Sequence, residues 1–78
     1  MMTENLRLFQ VQTAGLSRLV NATEFRHGDG RKTYTVTVIS EHGHNTIPVQ
    51  TREDALICAD NYIQQFAREL AVAYHVKL

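Results

Sequence analysis

Between residues 52 and 74 apolar side chains recur at helical spacing, and no other feature limits the fold of this chain as tightly. Set at 100° intervals from Leu56, the positions Ala55, Ala59, Tyr62, Ile63, Phe66 and Leu70, with Leu56, Ala67, Ala73 and Tyr74 beside them, fall within an arc of roughly 140°. No charged residue between 55 and 74 enters that arc; Asp60, Gln64, Arg68 and Glu69 lie opposite, with Ile57 and Val72 as apolar exceptions. Thr51 supplies a hydroxyl to cap the first free N–H groups, and Glu53 and Asp54 place negative charge where the helix dipole favours it. An amphipathic helix draws most of its stability from packing its apolar stripe, so residues 1–50 must supply a partner surface.

Those residues read as strands. In Tyr34-Thr35-Val36-Thr37-Val38-Ile39, Tyr34, Val36 and Val38 share one face while Thr33, Thr35 and Thr37 take the other. Ahead of it, Arg26-His27-Gly28-Asp29-Gly30-Arg31 is a hairpin turn in which Gly28, Asp29 and Gly30 can adopt positive φ, so Leu19 to Arg26 pairs antiparallel with Arg31 to Ser40. Glu41-His42-Gly43-His44-Asn45 is a second turn, and Thr46 to Val49 a short strand that Pro48 confines to a sheet edge. Leu6 to Gln12 is a further strand, with Leu8-Phe9 interrupting its alternation.

The expected architecture is a two-layer α+β domain over residues 1–78: an antiparallel meander of three or four strands at about 5–49, packed by one long helix at 51–74. In element order it is similar to the βββα half of double-stranded-RNA-binding domains and to small sheet-and-helix proteins that phages encode. The N-terminal helix of the RNA-binding family is missing here, and Glu53-Asp54 stand where its last helix starts with a basic cluster, so the resemblance carries no functional residue over. A helix of 23 residues runs roughly 34 Å, whereas strands of six to eight residues span about 20 to 27 Å, so the helix is expected to overhang its sheet. Residues 71–78 are apolar on more than one side; a second subunit could cover them, and so could a change to a C-terminal strand, since Val72, Tyr74, Val76 and Leu78 also alternate.

At 78 residues, with 44% hydrophobic side chains, the chain folds around a thin core that assembly would reinforce. Eight cations balance eight anions, which removes the electrostatic drive behind most nucleic-acid binding. Residues 1–40 carry five cations against three anions and residues 41–78 three against five, a weak asymmetry of +2 and −2. No apolar run is long enough to span a bilayer, and Met1 to Asn5 lack the basic start of a signal peptide, so a cytoplasmic protein is expected. The lone cysteine, Cys58, has no internal disulfide partner and reads as a half-buried packing residue near Tyr62.

Two partner-binding surfaces stand out: the hairpin tip with Arg26, His27, Arg31 and Lys32, and the helix end with Val72, Tyr74 and Val76. Beyond them, the Thr33, Thr35 and Thr37 row marks an open sheet face that Phe9 and Phe25 could render partly apolar. Glu41-His42-Gly43-His44 offers metal-competent side chains, but no second cluster completes a site, and His27 and His75 are the only other histidines. No catalytic constellation, metal site or cofactor motif emerges, and a two-layer domain of this size rarely encloses a reaction pocket. The expected function is therefore a non-enzymatic protein-binding module, dimeric, similar in build to phage or mobile-element accessory proteins that inhibit a host machine, for example a defence system, by occluding a surface. The alternative is a nucleic-acid-binding or regulatory module using Arg18 and the basic tip.

Overall fold

The computed structural model describes residues 1–13 and 15–74, with Tyr74 described by its backbone. Strands β1 (Met2–Thr13), β2 (Leu16–Arg26), β3 (Lys32–Ser40) and β4 (Gly43–Val49) form one antiparallel sheet in the order β1-β2-β3-β4, and α1 (Arg52–Tyr74) packs across one face. This is the expected β-β-β-β-α arrangement, but the first, second and fourth strands are longer than the sequence suggested. At about 3.3 Å per residue β1 and β2 extend roughly 36 to 40 Å, comparable to the roughly 34 Å of the helix. The expected overhang therefore shrinks. Helix structure continues through Tyr74, which settles Val72 and Tyr74 as helical, while Val76 lies outside the described residues.

Alternation sorts the sheet residues. Val20 and Ala22 of β2 and Val36 of β3 meet Ala55, Ala59 and Phe66 of α1 in the core, and Tyr34, Val38, Ile47, Val49, Tyr62 and Ile63 pack around them. Alanine at positions 22, 55 and 59 lets the helix backbone approach the sheet closely, at the expense of apolar area buried. The helix is capped as expected: the Asp54 N–H donates to Thr51 Oγ1 at 3.0 Å.

Strand β1 contains a register shift between Asn5 and Arg7 that leaves Leu6 unpaired. This bulge reverses the phase of alternation, so Phe9 pairs with Val20 and packs against the core while Leu8 points away and is 54% exposed. Phe9 is thus not on the open face, contrary to expectation. Phe25, paired with Thr33, is.

The β2–β3 turn also differs from the expectation in one respect. The Gly30 N–H donates to the His27 carbonyl at 3.0 Å, and the His27 N–H donates to the Arg31 carbonyl at 2.8 Å. Only Gly30, at φ 89°, takes the left-handed conformation; Gly28 does not. The bonding is that of a tight turn followed by a single left-handed residue, which needs one glycine rather than two. Open space surrounds both glycines, so backbone strain alone separates them. Gly30→Ala is expected to cost about 1 kcal/mol in urea unfolding and Gly28→Ala close to nothing; equal costs would contradict this turn geometry.

Candidate functional site

The two faces of the sheet differ completely in charge. On the helix side β2 places Arg18, Glu24 and Arg26 along with its core residues, β1 places Glu4 and Arg7, and β3 begins with Lys32. On the other side β2 presents Ser17, Leu19, Asn21, Thr23 and Phe25, and β3 presents Thr33, Thr35, Thr37 and Ile39. The flanking strands add Thr3, Asn5, Leu8, Gln10 and Gln12 from β1 and His44, Thr46 and Pro48 from β4. Among the described residues this face holds no Asp, Glu, Lys or Arg. With 21% charged residues in the chain, seventeen positions would ordinarily include about four, and a solvated surface carries more. Helix α1 covers none of it.

Near the middle of this face Asn21 donates through Nδ2 to Asn5 Oδ1 at 3.2 Å. Its own Oδ1 is buried and accepts no hydrogen bond among the described residues. A buried acceptor without a donor is costly, and such atoms are uncommon in folded proteins.

The hairpin tip is not a free cationic patch. Arg26 Nε donates to Glu24 at 2.6 Å and its Nη2 to Glu4 at 2.7 Å. Arg31 donates to Asp29 through its backbone N–H at 3.0 Å and through Nε at 2.7 Å, and these two bonds, the backbone one foremost, hold the Asp29 carboxyl below its ordinary range. His27 Nε2 lies 2.9 Å from Thr33 Oγ1. Arg26, Arg31 and Lys32 thus stand among Glu4, Glu24 and Asp29, three cations against three anions. Arg18 is likewise occupied: it pairs with Glu41, donates through Nε to Glu69 at 3.2 Å, and lies 5.3 Å from the centre of the Phe66 ring.

Glu24, on the helix side of β2 and paired with Tyr34 of β3, is 1% exposed. The Arg26 guanidinium and the Tyr34 hydroxyl hold its carboxyl below the ordinary value of 4.5 against the opposing effect of burial. Burial and the same carboxylate push the Tyr34 hydroxyl up.

A shallow depression of about 260 Å³ sits at the β3–β4 turn, lined by Val38, Ser40, His42, His44, Asn45 and Tyr62. His42 and His44 belong to it, but among the described residues no three His, Cys, Asp or Glu side chains converge as metal ligands. Cys58 is half-buried, and burial raises its thiol pKa, the opposite of what a nucleophile needs. At the helix end Val72 is 78% exposed. Among the described residues no helix is long and apolar enough to cross a membrane. No protein family, curated protein or solved structure matches this chain.

The sequence singled out the tip and the helix end; the open face was visible only as its threonine row. A period-two signal was present in β2, where Leu19, Asn21, Thr23 and Phe25 are uncharged while Arg18, Glu24 and Arg26 occupy the alternate phase.

Because the folded-state pKa of Glu24 is depressed, its ionised form stabilises the fold above pH 4.5, and that contribution is lost as pH falls through the lower folded value. Glu24→Gln should lower the urea midpoint at pH 7, with the gap to the wild type closing at acid pH. A variant as stable as the wild type at pH 7 would show that the pair of buried Glu24 with half-exposed Arg26 adds nothing.

Proposed function

We propose that this chain is a non-enzymatic protein-binding module and that the open face of its sheet is the recognition surface. The observation that carries this reading is the absence of formal charge from the seventeen positions of that face. Protein interfaces are depleted of charged residues at their centre, whereas surfaces that contact phosphate are enriched in Lys and Arg. Leu19, Phe25 and Ile39 give the face an apolar component, and its threonines supply short, stiff side chains that lose little freedom when covered.

Nucleic-acid binding is the less favoured reading because Arg18, Arg26 and Arg31 already have carboxylate partners. A phosphate contact at the tip would have to compete with Glu4, Glu24 and Asp29. The helix end is a secondary candidate through Val72 alone, and Tyr74 and Val76 add no described side chain to it.

A photo-reactive residue introduced in place of Thr37 tests the reading in living cells. Irradiation is expected to give protein adducts of defined mass that survive nuclease, while the same residue in place of the exposed helix position Gln64 gives none. Adducts that disappear with nuclease, or none at position 37, would refute the protein-binding reading.

A further inference from the structure

We propose that the occupant of the open face is a second copy of this chain, packed sheet against sheet about a two-fold axis that passes near Asn21. The inference rests on the open face being a protein-binding surface and adds which protein covers it.

Area is the first argument. Four strands about 4.8 Å apart, over the eight residues that β2 and β3 pair, give a footprint on the order of 500 Å². Two such faces remove about 1,000 Å² from water, the level at which a specific interface becomes credible, and side-chain relief raises the true value.

Self-complementarity is the second. A two-fold contact brings each residue near the axis against its own copy, so a charge there faces a like charge. A face without Asp, Glu, Lys or Arg avoids that repulsion. A threonine and amide surface matches itself, because hydroxyls and carboxamides both donate and accept.

The orphaned acceptor adds a third observation. Asn21 commits one N–H to Asn5 and leaves Oδ1 unpartnered and a second N–H on Nδ2 to spare. That Oδ1 is covered within the single chain, so with the axis beside Asn21 each carboxamide must turn toward the partner for its Oδ1 to accept from the partner's Nδ2, which then satisfies both reciprocally. The resulting order of layers is helix, sheet, sheet, helix, with the two sheets about 10 Å apart. It gives each thin core a second apolar layer, built on Leu19, Phe25 and Ile39.

Sedimentation equilibrium on the purified chain tests this. At about 100 µM the wild type is expected at twice its 8.9 kDa mass. Thr37→Arg should be monomeric with an unchanged circular dichroism spectrum. Asn21→Asp, nearly isosteric, should weaken the dimer at least tenfold at pH 7 and serves where Thr37→Arg fails to fold. Gln64→Arg, on the helix, should remain dimeric. A monomeric wild type overturns the inference yet leaves the open face as a surface for a different protein, which the adduct mass at position 37 then reveals. A dimer that tolerates both Thr37→Arg and Asn21→Asp places the interface elsewhere and overturns it as well.

Discussion

One helix can cover only one face of a four-stranded sheet, and the rest of this structure follows from that limit. The apolar stripe of α1 fixes which phase of each strand turns inward: Val20, Ala22 and Val36 meet Ala55, Ala59 and Phe66, so the alternate phase must turn outward. A one-residue slip would exchange the two sets and bury threonine beneath the helix. The outward phase ordinarily carries charge to hold a sheet in water. Among the described residues charge is confined to the helix side, the turns and the helix itself, and the proposed recognition surface rests on this division.

Confinement of charge to the helix side has its own cost, which the structure meets by pairing. Arg18 lies against Phe66 and reaches Glu41 and Glu69, Arg7 reaches Asp60, and Glu24 is buried with Arg26 and Tyr34. The Arg7–Asp60 and Arg18–Glu69 pairs tie the middle and the C-terminal half of the helix to the sheet. Charges that serve as such ties are poorly placed to bind phosphate. The basic hairpin tip, attractive as a run of letters, is electrically balanced in three dimensions.

Much of the fold was legible because its signals were periodic. The 3.6-residue repeat of α1, the two-residue repeat of β3 and the glycines of the β2–β3 turn each name an element without reference to the others. Phe9 was misplaced because the bulge at Leu6 reverses the phase of β1, and nothing local in Asn5-Leu6-Arg7 announces an extra residue. The burial of Glu24 was invisible for a similar reason: its partner Tyr34 is brought beside it only by the pairing of β2 with β3. The open face was half legible. Its β2 and β3 columns alternate in the sequence, but joining them to Leu8 and Gln10 required the register that the bulge sets.

The central claim is that this uncharged face is covered when the protein is at work. Its most direct test is the effect of a soluble paramagnetic probe on the threonine methyl signals of the purified protein. Thr35 and Thr37 lie near the middle of the face, and Thr51, at the helix cap, is exposed. At concentrations where the dimer is populated, the methyl signals of Thr35 and Thr37 are expected to be bleached far less than that of Thr51, and dilution is expected to restore their sensitivity. Bleaching of Thr35 and Thr37 equal to that of Thr51 at every concentration would mean that the open face is bare to solvent, and would contradict the central claim.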